Sequence, residues 1–168
     1  LATVRVSEAV VDPRLRGMSI DATTIGVSAG WNFRVYSKQI LLAHLPMWLE
    51  PRIRSALQIG LGTASTLDAM TRHPTLARIE AVEISSAVVR AAEQFEEARA
   101  LEDPRVEVHV EDAIHYLLRT DERYDLIVSD GKQNADFSGN AKLMSREFYA
   151  LAHARLSDLG LFVQWVPI

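Results

Sequence analysis

Five short apolar runs separated by helical stretches occupy most of this chain, and few folds accept that order. The runs are 56–59, 79–82, 106–110, 124–129 and 161–166. Between them, 66–72 reads as a helix, and Ser85 caps a long helix with Val88, Ala92 and Phe95 on one side. Ile114, Leu117 and Leu118 mark the next helix; Phe148, Leu151, Ala152 and Leu156 mark the last. This alternation predicts an α/β domain with a mostly parallel sheet covered on both faces. In such sheets ligands sit beyond the carboxyl ends of the strands, where the strand order reverses. The residues that follow the runs, or close the last one, are Gly60 to Ser65, Glu83, Asp112, Asp130 and Gln164.

Upstream, Val4 and Val6 alternate with polar neighbours, and Asp12-Pro13 begins a turn that Gly17 ends. Ile20, Ala22 and Thr24 share one face of a second strand. So small a β-hairpin needs support from the main domain or from another chain. A helix at 34–45, with Ile40, Leu41, His44 and Leu45 as its apolar stripe, is expected to stop at Pro46. The expected organisation is a hairpin segment over 1–33 and a ligand-binding domain over 34–168. The full length of 168 residues, 48% of them apolar, suits one packed domain.

The chain has no cysteine, which removes disulfides, thiolate nucleophiles and cysteine-ligated zinc. A formal net charge of −4 argues against nucleic acid as a partner, because phosphate binding needs a basic face. No apolar run approaches the roughly 18 residues of a membrane helix, and no signal peptide is visible. The expectation is a cytoplasmic domain. A first residue other than Met suits a piece of a longer parent chain.

The residues at the strand ends carry the chemistry. Gly60-Leu61-Gly62-Thr63-Ala64-Ser65 joins a strand to a helix, where glycines permit a tight turn and a close approach of backbone N–H groups to a ligand. Ser65 replaces the third glycine of GxGxxG; the alternative is a plain strand-to-helix turn. Glu83 follows at roughly the 20-residue offset of a ribose-binding acid. Its alternative is a solvated charge at a helix N-terminus. Asp112, with Ala113 after it, can accept from an adenine amino group or cap the next helix. Asp130 is a candidate base or cation anchor at a pocket mouth, or a turn-forming residue before Gly131. The five histidines show no shared ligand spacing, so no metal site is expected. No serine sits on a nucleophile elbow. Trp31, Trp48 and Trp165 read as core or interface aromatics.

These residues, taken in order, resemble the spermidine synthase family of polyamine aminopropyltransferases, most of all bacterial members joined to membrane segments. The matching pieces begin with Ala43-His44-Leu45-Pro46, Ile59-Gly60-Leu61-Gly62-Thr63, Arg72-His73-Pro74 and Ala81-Val82-Glu83-Ile84. They continue with Asp103-Pro104-Arg105-Val106, Glu111-Asp112-Ala113, Tyr124 through Asp130, Glu147-Phe148-Tyr149 and Gly160 through Trp165. The resemblance implies a Rossmann-like sheet of the S-adenosylmethionine-dependent methyltransferase type, lacking its last two strands here, with a shortened N-terminal β part. An exposed last strand invites pairing, so a homo-oligomer, a dimer, is expected.

The resemblance also implies the ligands. The co-substrate is decarboxylated S-adenosylmethionine or S-adenosylmethionine itself, with no tightly bound cofactor. The cofactor-binding set is Gly60, Gly62 and Thr63 at the nucleoside and thioether, Glu83 at the ribose and Asp112 at adenine, with Ile84 and Ala113 beside these acids. The catalytic acid is Asp130, and the substrate is a small amine such as putrescine, with Gln133, Asp136 and Gln164 near it. An amine with a pKa near 10 is mostly protonated at neutral pH. It attacks the carbon beside a sulfonium only after a proton leaves, and a carboxylate at the mouth draws the cation and takes that proton. Two positions depart from the family pattern. Thr63 stands where an acid holds the aminopropyl ammonium, and Gln133 stands where a second acid follows the catalytic one. Asp136 is the residue able to replace it if the 131–142 loop folds inward. Tyr36 lies off register from a family tyrosine. Competing expectations are an S-adenosylmethionine-dependent methyltransferase, which Thr63 favours and Gln58 does not, and a non-catalytic nucleoside-binding module. A dehydrogenase is disfavoured by Ser65.

Overall fold

The computed structural model describes residues 3–8, 16–20, 23–28, 33–131 and 140–166. Strands β4 (Ser55–Ile59), β5 (Arg78–Glu83), β6 (Val106–Val110), β7 (Tyr124–Ser129) and β8 (Leu156–Gln164) form one sheet in the order β6-β5-β4-β7-β8. Every neighbouring pair in it is parallel. The chain therefore builds outward from β4 to one edge, returns, and builds to the other. That reversal leaves a crevice between the carboxyl ends of β4 and β7.

Alternation along the strands sends side chains to two cores. Ala56, Ile79, Ala81, Leu126 and Val128 face one side, where they bury Leu42, Ala43 and Met47 of α1 (Phe33–Leu49). Leu67 and Met70 of α2 (Ser65–Thr71) and Val88 of α3 (Ser86–Ala92) fill the same core. Leu57, Ile59, Val82 and Ile127 face the other side, against Tyr116 and Leu117 of α4 (Ala113–Arg119) and Phe148 and Ala152 of α5 (Arg146–Ala154). The expected doubly covered sheet is present.

At the N-terminal end, β1 (Val4–Glu8) and β2 (Arg16–Ile20) form the expected antiparallel hairpin, and β3 (Thr23–Ser28) extends it. The run read as one strand through Ile20 and Thr24 is split between β2 and β3, and Gly17 lies inside β2 rather than ending the turn. Asp12, Pro13, Ala22 and Trp31 lie outside the described residues. Met18 is fully buried, and Val4 and Val6 pack on the same core as α3, which supplies the support so small a sheet requires.

Four local expectations change. Helix α1 continues through Pro46, whose carbonyl accepts from the Glu50 N–H at 2.9 Å. A proline removes its own donor and crowds the carbonyl four residues back, but the carbonyls that follow still pair, and burial of Pro46 and Met47 holds the extra turn. The buried face of α1 is Leu42, Ala43, Pro46 and Met47, not Leu41 and Leu45, which are each 44% exposed. Apolar residues surround this stretch of helix, so periodicity alone does not choose a face. The long helix after Ser85 ends at Ala92, where Phe95 is buried, its N–H bonds the Ala92 carbonyl at 2.9 Å, and a 3-10 helix follows over Glu96–Glu102. Leu156 belongs to β8, because Tyr124 N–H captures the Arg155 carbonyl at 2.8 Å and starts the strand pairing there.

The Asp103-Pro104-Arg105 piece is a structural clamp. Arg105 donates to the carbonyls of Thr71, His73 and Leu76, tying the α2–β5 connection to the start of β6. Asp103 holds the same guanidinium at 2.7 Å, which keeps its carboxyl below the usual range. Among the described residues no helix is long and apolar enough to cross a membrane.

Helix α1 meets the connection after α2 through His44 and His73, with Nδ1 and Nε2 2.6 Å apart and the His44 ring stacked on Trp48. Burial holds both imidazoles below their ordinary value of 6.5, aided by Arg72 at His44 and by His44 at His73. The unfolded chain takes up these protons first. The pair's stabilisation is present above about 6.5 and is lost as pH falls towards the folded-state values. The difference in melting temperature between wild type and a His44→Gln/His73→Gln protein is expected to shrink from pH 7.5 to pH 5; a constant difference would exclude this linkage.

Candidate active site

The glycine turn leaves β4 with Gly60 at φ +87° and Gly62 at φ +55°, a left-handed backbone that glycine adopts without steric cost. Gly60 also has a crowded neighbour: a Cβ there would stand 3.3 Å from the Gly131 nitrogen. Two bonds lock the turn between its neighbouring strands. Gly60 N–H donates to the Val82 carbonyl at 2.8 Å, and Asp130 N–H donates to the Ile59 carbonyl at 3.0 Å. Ala64, the N-cap of α2, is the one non-glycine with positive φ among the described residues, at +64°. Thr63 is buried, and its hydroxyl lies 2.8 Å from that of Ser65.

Glu83 ends β5 beside this turn and is 8% exposed. Its Oε2 accepts from Leu61 N–H and its Oε1 from Ser85 N–H, both at 3.0 Å. Burial pushes its carboxyl above the ordinary value, against the pull of the backbone N–H groups of Leu61, Ser85, Gly62 and Ile84. A solvated surface charge would not have these surroundings. Ile84, next to it, is 70% exposed and offers an apolar surface at the rim.

Asp112 follows β6 and caps α4. Its Oδ1 accepts from Ile114 N–H at 2.8 Å and His115 N–H at 3.2 Å, with Ala113 as the first helical residue. The capping alternative is thus realised, and Oδ2 has no partner among the described residues.

Asp130 follows β7 across the turn from Glu83. Its Oδ2 accepts from Thr66 Oγ1 at 2.9 Å. Its Oδ1 stands 2.6 Å from Lys38 Nζ of α1, an ion pair that lacks the alignment of a hydrogen bond. Neither contact is the local bond of a turn-forming aspartate. Lys38, Gly60, Gly62, Thr63, Thr66 and Asp130 line a small cavity of about 30 Å³. Lys38 Nζ also lies over the Trp165 ring, 5.5 Å from its centre. Trp165 and Trp48 are 41% and 68% exposed, so the described tryptophans are not core residues.

Parallel registry brings these ends to one rim, with Ile59 opposite Val82 and Ser129, Glu83 opposite Val110, and Ser129 opposite Gln164. Along it stand Asp112, Glu83, the glycine turn, Asp130 and Gln164. Gln164 is structurally engaged: its Nε2 donates to Leu143 O and Ser129 Oγ, and its Oε1 accepts from Tyr149 at 2.7 Å. Gln133 and Asp136 lie outside the described residues.

Comparison with known proteins agrees with this layout. The family model described as spermine/spermidine synthase domain matches residues 35–165. The chain belongs to the spermine/spermidine synthase family. It is 33% identical over 125 residues to the polyamine aminopropyltransferase of Alkaliphilus oremlandii, and 38% identical over 132 residues to that of Thermococcus kodakarensis. Each match covers 73% of this chain and 43% and 45% of the relative, so the chain spans less than half the length of these relatives. A spermidine synthase crystallised with the transition-state analogue AdoDATO shares the fold at TM-score 0.83 and 23% identity, over 98% of this chain and 54% of that one. The O-methyltransferase TomG, crystallised with SAM, shares it at TM-score 0.60 and 20% identity, over 76% of this chain and 54% of that one. The Rossmann-like, methyltransferase-type fold that the resemblance implied is confirmed.

Sequence reasoning missed two residues that meet Asp130 at this rim. Thr66 is a first-turn helix residue, and Lys38 lies among the polar residues of α1 with no motif to mark it. A basic residue on the helix before the first parallel strand was the available signal, but its reach to Asp130 is a tertiary fact.

Two substitutions in the turn are expected to act in opposite directions. Ala64→Gly removes left-handed strain worth about 1–2 kcal/mol, partly offset by the greater freedom of unfolded glycine, and should raise stability by about 1 kcal/mol in urea unfolding. Gly60→Ala should lower it by at least about 1 kcal/mol.

Proposed function

We propose that the chain is the nucleoside-binding and catalytic part of a polyamine aminopropyltransferase, transferring an aminopropyl group from decarboxylated S-adenosylmethionine to a small amine such as putrescine. The observation that carries this reading is the arrangement of two acids on opposite sides of one glycine turn. Glu83 is buried on the β5 side, and Asp130 lies on the β7 side, at the crevice.

In this reading Glu83 accepts the ribose hydroxyls. Backbone N–H groups already fix its two oxygens, and a carboxylate has about four lone-pair positions to offer. Ile84 and Asp112 Oδ2 border the base. The acceptor ammonium approaches Asp130 and gives up a proton towards it. The freed nitrogen lone pair attacks the aminopropyl carbon attached to the sulfonium. As that carbon–sulfur bond breaks, its electron pair stays on sulfur and methylthioadenosine leaves. Because sulfonium is already a good leaving group, much of the remaining task is alignment. Thr66, which holds Asp130 Oδ2, is a positioning residue.

Thr63 favours a second reading. With no carboxylate at that place, the turn tolerates the carboxylate of S-adenosylmethionine, the donor of a methyltransferase. Calorimetric titration with methylthioadenosine, S-adenosylmethionine and its decarboxylated form, followed by a spermidine assay with putrescine, separates the readings. Methylthioadenosine should bind, and the decarboxylated donor should give spermidine. Methylated putrescine from S-adenosylmethionine would favour the second reading, and nucleoside binding without any product a non-catalytic module.

Asp130→Asn should reduce turnover by at least about a hundredfold while leaving methylthioadenosine binding within about threefold, in keeping with the usual contribution of a general base. Glu83→Gln should weaken methylthioadenosine about tenfold or more, as expected when a charged acceptor is lost. Retained turnover in the first variant would remove Asp130 from its role.

A further inference from the structure

The acid assigned to the acceptor amine already faces an amine of the chain itself. Lys38 Nζ is 2.6 Å from Asp130 Oδ1, in a pair whose side chains are 20% and 11% exposed. A lysine side chain is a primary ammonium on a four-carbon stem, the same chemistry as one end of a diaminobutane. It enters the cavity bordered by the glycine turn, and its charge also lies over the Trp165 ring. Asp130 Oδ2 is held by Thr66, so Oδ1 is the oxygen left for an ammonium, and Lys38 has it.

We infer that Lys38 sets acceptor specificity as a tethered competitor: its ammonium occupies the acceptor's place on Asp130, and a substrate amine must displace it. The inference rests on the reading of Asp130 as the acceptor's acid. Two ammonium groups beside one carboxylate oxygen repel each other, so a substrate ammonium reaches Oδ1 only when Lys38 Nζ has left it. The lysine stem is flexible, so a change of rotamer clears the site without moving α1. Lys38 thereby raises the acceptor concentration needed and favours amines that can outcompete a tethered ammonium.

The test uses protein saturated with methylthioadenosine and titrated with putrescine in a calorimeter. Lys38→Met keeps an unbranched apolar stem and removes the charge. It is expected to bind putrescine about tenfold tighter than wild type or better, because no ammonium then has to leave Asp130 first. Lys38→Arg, which keeps the charge, should stay within about threefold of wild type. If Lys38→Met does not fold, Lys38→Gln takes its place.

A measurement on the unaltered protein gives an independent readout. Putrescine should speed acetylation of Lys38 relative to exposed Lys142, followed by mass spectrometry. Putrescine binding that is unchanged or weaker in a folded, uncharged variant would overturn the inference, as would Lys38 acetylation that does not rise. Methylthioadenosine that binds while either of those results is obtained sinks this inference alone. Failure of methylthioadenosine to bind wild type sinks the functional reading, and this one with it.

Discussion

The position of β4 between β5 and β7, parallel to both, is the constraint from which the site follows. Parallel pairing forces every crossover to return over a face of the sheet, so the carboxyl ends gather on one rim. Since β4 leads first to β5 on one side and the chain reaches β7 on the other only after β6, helices on the two sides diverge at that rim. The crevice needs no special residues of its own. It results from strand order, and the bonds Gly60 N–H to Val82 and Asp130 N–H to Ile59 hold the turn in its mouth.

Within that frame, the site carries costs that a purely structural turn would avoid. Glu83 is buried beside a turn that would satisfy fewer backbone donors without it, and burial raises its carboxyl above the ordinary value. Ala64 holds a backbone conformation that disfavours any side chain. By contrast, the buried Glu80 away from the rim is surrounded by hydrogen-bonding partners: Tyr116, Tyr124 and His109 meet one of its oxygens and Arg78 the other. Burial and the Glu80 contact push the Tyr124 hydroxyl up to about 12. That network closes on itself, whereas the rim acids face a crevice.

Helix α1 couples the two halves of this picture. One turn of it docks on the α2–β5 connection through His44 and His73, and an earlier turn carries Lys38 to Asp130. The apolar docking of Leu42, Ala43 and Met47 therefore determines where a cation stands at the rim. Changes in that packing would be felt at the acid even though none of these side chains touches it.

The amino-acid sequence by itself determined the strand–helix alternation, the doubly covered parallel sheet and the rim positions of Gly60, Glu83, Asp112 and Asp130. These follow from local rules: apolar runs too short for helices, glycines that permit positive φ, and acids at strand ends. The β4 to β7 strands lie within a residue or two of their sequence-based bounds: two-sided burial makes β4, β5 and β7 mostly apolar, and the edge strand β6 alternates valines with Glu107 and His109.

Tertiary structure decided what local rules leave open. Pro46 stays in α1 because burial outweighs one missing donor, and the helix after Ser85 stops short because Phe95 is drawn into the core. Apolar residues on several sides of α1 gave periodicity no means of choosing Leu42 and Met47 over Leu41 and Leu45. Lys38 and Thr66 reach Asp130 from positions 92 and 64 residues away along the chain. No pattern within a window of sequence records such a meeting, since it depends on how two helices dock over a finished sheet.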